Sequence, residues 1–398
     1  MKKVVVASAL RSPIGSFGGA FKKVSAVDLG VHVVKAGLKE TGIKPEMIDE
    51  VIMGNVVGAG LGQNVSRQIS LGAGIPETVP TFTVNKVCGS GMKAITLGAA
   101  MIAMGDADII VAGGTENMSQ IPYAMPKARW GARMGNAKLV DLMIQDGLWE
   151  IFNGYHMGVT AENLADKFNI TRQEMDEFAA TSQNRCEAAM NNDKFQDEIV
   201  PIPVPQRKKE PIIVNKDEFP RAGVTAESIS KLRAAFKKDG RVTAANSSGI
   251  NDGAASVILL SEEKAKALGI EPLATLVNYA SAGVDPSIMG YGPVPSIKKA
   301  LKKSGWKWDD IQLIELNEAF AAQSLAVFKG LEEEGVGKPN LDIINVNGGA
   351  IALGHPIGCS GTRIVVTLLH EMKKRGVKKG LASLCIGGGM GISSLYEM

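Results

Sequence analysis

The sequence has few cysteines, few aromatic residues and little net charge. Its four cysteines are spread over 398 residues with no C-x-x-C pair, so neither a disulfide scaffold nor a zinc site is indicated. The formal net charge is only +3 and no nucleic-acid-binding motif appears, which argues against a nucleic-acid partner. No apolar run looks long enough to span a membrane. These absences predict a cytoplasmic protein that requires neither a metal nor a membrane.

Residues 1–118 alternate between strand-like and helix-like segments. Buried strands are predicted at 4–10, 48–57 and 108–114, and helices at 26–41 and 64–74. Such alternation is typical of the α/β class with a mostly parallel sheet covered by helices.

The opening pattern returns in the last third of the chain. Residues 42–55 have the same shape as 305–317, and Cys88-Gly-Ser-Gly91 matches Gly358-Cys-Ser-Gly361. The sequence therefore predicts two copies of one α/β unit, formed by 1–118 plus 250–272 and by 273–398. A pseudo-twofold arrangement would bring equivalent turns together at the seam between them.

Residues 119–249 lack this alternation and are predicted to form an inserted loop domain with short helices. Within them, 207–241 carry ten lysines and arginines against five acids. Two interpretations stay open for this basic segment: a solvated surface, or a landing area for an anionic ligand such as a nucleotide phosphate.

Cys88 lies directly before a helical apolar run and is followed by small residues. A helix N-terminus carries a partial positive charge, which favours the thiolate, the nucleophilic form of cysteine. The alternative is a small buried residue in a tight strand-to-helix turn.

Three further residues follow the same logic. His355 lies in a glycine-rich loop that opens a helix, and histidine is suited to proton transfer near neutral pH. Cys385 ends an apolar strand and enters three glycines, whose N–H groups could receive an oxyanion. Asn317 ends another strand, where it could cap a helix or orient a water. A structural histidine and a core cysteine remain the alternatives.

Together these motifs resemble the thiolase family, most closely its short-chain biosynthetic branch. The resemblance spans essentially the whole chain and rests on four segments: 85–91, 317–320, 354–358 and 385–389. It implies a thiolase-like fold of two pseudo-twofold-related α/β halves, layered α-β-α-β-α, with an inserted loop domain.

The resemblance also implies an activity: the Claisen condensation of two acetyl-CoA molecules to acetoacetyl-CoA and CoA, or the reverse. Cys88 would be the acetylated nucleophile, His355 would take its proton, and Cys385 would deprotonate the second acetyl-CoA. His355 and a water held by Asn317 would form one oxyanion hole. The N–H groups of Cys88 and Gly387 would form the other, and no metal or redox cofactor is required.

Coenzyme A would lie on the loop domain, with its phosphates near the basic segment. The family match assigns adenine, pantetheine and acyl contacts to Arg221, Ser228, Ala244, Ser248, Leu148, His156, Met157, Met289 and Phe320. Residues 125–142 resemble an arm through which such enzymes form homotetramers. Cys359 departs from the family pattern, which usually has alanine there, and we hypothesise that oxidation could pair Cys88 with Cys385 or Cys359.

Three other functions are alternatives to this one. A broader 3-ketoacyl-CoA thiolase of fatty-acid degradation is the runner-up, but Met157 and Met289 are expected to crowd the acyl pocket. Cys385, where a second histidine would be expected, argues against a condensing enzyme acting on acyl carrier protein. The joint presence of both cysteines and His355 argues against a non-catalytic CoA- or lipid-binding relative.

Overall fold

The computed structural model describes all residues, 1–398, and is built from eleven α-helices and sixteen β-strands. The strands are β1 Val4–Arg11, β2 Gly15–Ser16, β3 Glu50–Gly54, β4 Thr81–Val84, β5 Ile109–Asn117, β6 Tyr123–Ala124, β7 Val140–Asp141, β8 Trp149–Glu150, β9 Tyr155–His156, β10 Ile202–Gln206, β11 Lys209–Val214, β12 Asn251–Ser261, β13 Ala274–Gly283, β14 Leu313–Leu316, β15 Lys379–Ile386 and β16 Met390–Glu397. The helices are α1 Ala26–Thr41, α2 Val65–Gly72, α3 Ser90–Met104, α4 Met157–Lys167, α5 Arg172–Asn191, α6 Ala226–Ser230, α7 Glu262–Leu268, α8 Pro293–Ser304, α9 Ala321–Glu333, α10 Ala350–Leu353 and α11 Ser360–Arg375.

Nine strands form one continuous path in the order β14-β15-β16-β13-β1-β12-β5-β3-β4, and β2 adds to β12. Only β3 with β4, β3 with β5, and β14 with β15 pair in parallel; the other pairs are antiparallel. The expectation of a mostly parallel sheet is therefore wrong. In each half the last strand, β12 or β16, returns between two neighbours that run the opposite way.

The duplication is visible in the strand order. The strands of the first half lie in the order β4, β3, β5, β12, β1, which are the third, second, fourth, fifth and first of that half along the chain. In the second half β14, β15, β16 and β13 are the equivalents of β3, β5, β12 and β1. A single bridge from Ile314 to Ile344 stands in place of an equivalent of β4. Even an irregularity is repeated, because the register shifts between Val6 and Ser8 and again between Leu276 and Asn278.

Helices α3 and α11 lie in the middle of the molecule and pack against each other. On its other sides α3 contacts β3, β5 and β12, and α11 contacts β14, β15 and β12, while α1 and α8 cover the outer faces of the two halves. A central cluster of 30 buried residues joins the halves here. This arrangement confirms the predicted thiolase-like layers.

Glycines allow the two central helices to approach closely. A Cβ on Gly91 would lie 2.6 Å from Thr362 Oγ1, and one on Gly361 would lie 2.6 Å from the Met92 nitrogen. The stretch Val87–Met104, which includes α3, is long and apolar enough to cross a membrane. The expectation that no apolar run has this length is wrong, and here the helix forms part of the core.

Residues 118–250 connect the fourth and fifth strands of the first half. They contain α4, α5 and the β10–β11 hairpin; α5, with 20 residues, is longer than the short helices expected. A buried ion-pair cluster ties this region to the sheet, because Arg11 binds Glu198 at 2.6 Å and Asp217 at 2.7 Å. The predicted boundaries 1–118 with 250–272, 119–249 and 273–398 stay a prediction.

Candidate active site

The turn before α3 holds Cys88 in a constrained position. Ser90 Oγ accepts a hydrogen bond from the Lys86 N–H at 2.8 Å and donates one to the Val87 carbonyl at 2.6 Å. Val87 itself has φ +46°, a left-handed conformation that is strained for a β-branched residue. Such strain is characteristic of functional turns that aim a side chain.

The sulfur of Cys88 lies against two backbone donors, its own N–H and that of Gly387. Both lower the pKa of the thiol, but burial outweighs them and raises it to about 11. The helix terminus and the backbone donors favour the thiolate and desolvation disfavours it, so the prediction of a stabilised thiolate at Cys88 stays a prediction.

His355 is held by hydrogen bonds at both its backbone and its ring. Its backbone N–H donates to Asn251 Oδ1 at 3.0 Å, and its ring Nδ1 lies 2.6 Å from Ser360 Oγ. Its Nε2 is buried and has no protein partner. Burial, with a smaller contribution from Arg363, lowers the pKa of His355 to about 4, so the ring is neutral at pH 7.

Asn317 and Cys385 are more deeply buried. Both side-chain polar atoms of Asn317 are enclosed without a protein hydrogen-bond partner, which is unusual for a buried amide and suits a group that binds water or substrate. Cys385 is 1% exposed, and burial together with the neighbouring Cys88 raises the pKa of its thiol.

Cys88 and His355 line one cavity of about 660 Å³. Its walls include most of the predicted site residues, namely Cys88, His355, Gly387, Leu148, His156, Met157, Arg221, Ala244, Ser248, Met289 and Phe320. Asn317 and Cys385 are not among its lining residues. Ser228 lies elsewhere, where its Oγ accepts from the Thr225 N–H at 3.0 Å in the capping turn of α6.

Two phenylalanines, Phe236 and Phe219, line the cavity but belong to no recognisable sequence motif. Phe236 stacks on His156 with ring centroids 4.6 Å apart and packs edge-on against Phe320 at 6.1 Å. Phe219 lies under the Arg221 guanidinium at 5.8 Å. No short motif carries these phenylalanines; only the proximity of Phe219 to Arg221 in sequence gave a signal.

Two other predicted features lie away from the cavity wall. Cys359 is fully buried in the central core, at the start of α11. The 125–142 arm exposes Trp130 at 79%, Met134 at 98% and Leu139 at 67%. Large apolar side chains this exposed on one short segment are typical of a contact surface.

The fold and this site define a thiolase. Residues 4–263 match the model of the thiolase N-terminal domain and residues 270–398 match that of the thiolase C-terminal domain. The chain belongs to the thiolase family.

Individual relatives and solved structures show which thiolases this chain resembles. The chain is 56% identical over 397 residues to an acetyl-CoA acetyltransferase of Cupriavidus necator, covering 100% of both chains. The structure of an acetyl-CoA acetyltransferase from Syntrophomonas wolfei matches with a TM-score of 0.98 at 42% identity, covering 100% of this chain and 99% of that one. Human mitochondrial 3-ketoacyl-CoA thiolase matches with a TM-score of 0.95 at 43% identity, covering 100% and 98%.

Proposed function

We propose that this thiolase is an acetyl-CoA C-acetyltransferase, which condenses two acetyl-CoA molecules to acetoacetyl-CoA and CoA and catalyses the reverse thiolysis. The observation that carries the proposal is the single cavity whose wall brings together Cys88, His355 and Gly387. The similarity to acetyl-CoA acetyltransferases over the full chain supports it.

In the first half-reaction Cys88 attacks the thioester carbonyl. Its proton passes to His355 Nε2 as the C–S bond forms, because the raised thiol pKa leaves almost no free thiolate at pH 7. The N–H groups of Cys88 and Gly387, which already face the sulfur, receive the oxyanion. CoA leaves with the proton from His355, and acetyl-Cys88 remains.

In the second half-reaction the Cys385 thiol passes its proton to the neutral His355 Nε2, and the resulting Cys385 thiolate takes a methyl proton from a second acetyl-CoA. His355, now protonated at Nε2, and a water held by Asn317 stabilise the enolate oxygen, and the unpartnered amide of Asn317 suits this role. The enolate carbon attacks acetyl-Cys88, the C–S bond breaks to release acetoacetyl-CoA, and His355 Nε2–H returns a proton to Cys88. No step transfers electrons to an acceptor.

Coenzyme A occupies the long cavity with its acyl end at Cys88. Met157 and Met289 are buried in the cavity wall and belong to the same apolar cluster as Cys385, and their bulk favours short acyl groups. Arg221, backed by Phe219, is a partner for the adenine nucleotide. Ser228 does not line the cavity, so its predicted contact with the pantetheine would have to be made from outside the cavity wall.

We further propose that the exposed 125–142 arm joins subunits into a homotetramer, because its apolar side chains need a partner surface. All four cysteines are free, and CoA thioesters are the proposed substrates, so we place the enzyme in the cytoplasm.

The decisive experiment is intact-mass analysis after incubation with acetyl-CoA. We expect one acetyl group on wild-type protein, mapped to the Cys88 peptide, and none on Cys88→Ala. A wild-type protein that stays unacetylated, or a Cys88→Ala variant that remains active, would overturn the proposal.

The range of acyl-chain lengths distinguishes this proposal from the alternative, a broader 3-ketoacyl-CoA thiolase. Thiolysis of four-carbon and eight-carbon 3-ketoacyl-CoA should favour the shorter substrate in kcat/KM. A preference for eight carbons would instead identify a broader 3-ketoacyl-CoA thiolase, like the human mitochondrial protein that the fold resembles.

A further inference from the structure

A serine stands at the first position of each central helix. In the first half, Ser90 Oγ lies 2.8 Å from the Lys86 nitrogen and 2.6 Å from the Val87 carbonyl oxygen. In the second half its counterpart, Ser360, lies 3.0 Å from the Pro356 carbonyl oxygen and 2.6 Å from His355 Nδ1.

The hydrogen-bond directions at Ser90 are unambiguous. A backbone N–H can only donate, so Ser90 Oγ accepts from Lys86, and its single proton goes to the carbonyl of Val87. The serine therefore accepts from a donor on the preceding turn and donates to a main-chain carbonyl of that turn.

Proline changes one partner at the second serine. Pro356 occupies the position that corresponds to Lys86, four residues before the serine, and proline has no N–H. The Ser360 proton again goes to a backbone carbonyl, that of Pro356. A lone pair of the Ser360 oxygen is then free to accept a hydrogen bond from His355 Nδ1, which lies 2.6 Å away.

We propose that Ser360 holds His355 as the tautomer with its proton on Nδ1, so that Nε2 is free to accept the Cys88 proton, and that Pro356 permits this by contributing no N–H. Ser360 is thus a positioning residue. The inference rests on the proposed function for the meaning of the proton transfer, but the tautomer itself can be measured without turnover.

The tautomer decides whether proton transfer can occur. A neutral histidine ring has one donor and one acceptor nitrogen. With the proton on Nδ1, Nε2 takes the proton from the Cys88 thiol, and the resulting imidazolium keeps its bond to Ser360. Nε2–H then returns the proton to the departing CoA sulfur. With the proton on Nε2, the ring could not accept from Cys88 at all.

The first test is the ¹⁵N spectrum of the wild-type protein labelled at its histidines, at pH 7 without substrate. There are only four histidines to resolve, and His355→Gln identifies the signals of His355. We expect the pattern of an Nδ1–H tautomer. An Nε2–H pattern would overturn the inference directly, whatever the activity.

The second test uses Ser360→Ala. Without the acceptor, His355 should shift towards the Nε2–H pattern, and kcat/KM should fall by about 10- to 100-fold, a part of the 100- to 10,000-fold that a positioned base supplies. Ser360→Thr, which keeps the hydroxyl, should restore the Nδ1–H pattern. If Ser360→Ala keeps the wild-type tautomer, the inference is wrong.

Two further variants separate tautomer control from general damage. Ser90→Ala removes the equivalent serine of α3 and should leave the His355 pattern unchanged, although it disturbs the Cys88 turn. Pro356→Ala restores an N–H that competes for Ser360, so it should shift His355 partly towards Nε2–H even if Ser360→Ala does not fold. A spectrum of Pro356→Ala identical to wild type would count against the role of proline. Failure of Cys88 acetylation with the expected tautomers would overturn the proposed function alone.

Discussion

Asn55 and Asn317 follow the equivalent strands β3 and β14, yet the protein surrounds them differently. The Asn55 amide donates to the Thr115 carbonyl at 3.1 Å and to Glu116 at 3.0 Å, so it fastens the first half together. The Asn317 side chain is equally buried but has no protein partner. A duplicated fold allows one copy of a residue to carry structure, which leaves the other available for chemistry.

The turns before α3 and α11 differ in the same way. Under the proposed function the first turn carries the nucleophile, Cys88, and the second carries the base, His355, so neither half would be complete without the other. If they act as one unit, Cys88→Ala and His355→Ala should each reduce kcat/KM by roughly 10⁴- to 10⁶-fold or somewhat less, as for members of a catalytic triad.

The double variant tests this union. Because both residues serve one proton transfer, Cys88→Ala/His355→Ala should be no slower than Cys88→Ala alone. Steady-state thiolysis of acetoacetyl-CoA, with circular dichroism as a check on folding, measures all three. Multiplicative losses in the double variant would show that the two turns act independently.

The pKa of the Cys88 thiol depends on two opposing effects: the helix terminus favours the thiolate and burial favours the thiol. Since burial raises the pKa to about 11, the thiolate fraction should increase about tenfold for each pH unit from 7 to 10. Iodoacetamide alkylation of Cys88, followed by peptide mapping, should rise by about a thousandfold without a plateau over that range. A plateau near pH 8 would show that the helix terminus and backbone donors dominate instead.

Asn317→Ala and Asn55→Ala should separate chemistry from stability. Asn317→Ala should slow condensation by about 100- to 1000-fold, the usual effect of losing an oxyanion donor, with little change in the free energy of unfolding. Acetylation of Cys88 should persist, because it uses the other oxyanion hole.

Asn55→Ala should do the reverse. It removes the amide that donates to Glu116 and to the Thr115 carbonyl, while Glu116 keeps the Val56 and Val57 N–H donors, so the free energy of unfolding should fall by about 1–3 kcal/mol. Urea denaturation measures this. Equal losses of stability in the two variants would contradict the difference we draw between the halves.

The repeat, the inserted region and the central residues of the site could be read from sequence because short motifs carry them. Helix 26–41 was predicted with the bounds observed for α1, since Ser25 caps its start through the Asp28 N–H and Gly42, with φ +67°, ends it. The Cys88 turn is indicated by the apolar helix that follows it, and the His355 turn by its glycine-rich loop.

The rest depends on long-range packing. Antiparallel pairing of β12 and β16 could not be predicted, because a buried strand has the same composition in either direction. The pKa of Cys88 cannot be read from sequence, because a helix terminus is a local feature whereas desolvation depends on the whole fold. Phe236 lies in a loop without any motif, and Phe219 is indicated only by its proximity to Arg221 in sequence. Ser360 was within reach, because the predicted alignment of 88–91 with 358–361 pairs it with Ser90.

The crossing of α3 and α11 offers the finest comparison, because each half contributes one glycine to it. Alanine at Gly91 would bring Cβ to 2.9 Å from the Thr362 nitrogen, and alanine at Gly361 would bring it to 2.6 Å from the Met92 nitrogen. Backbone atoms cannot turn aside, so each variant should lose about 1–3 kcal/mol of unfolding free energy to overpacking. Urea denaturation should show the Gly91→Ala/Gly361→Ala double variant to be less destabilised than the sum, since the first alanine has already separated the helices. Strictly additive losses of unfolding free energy would instead show that each helix adjusts locally to its own alanine, without a change in the distance between the two helices.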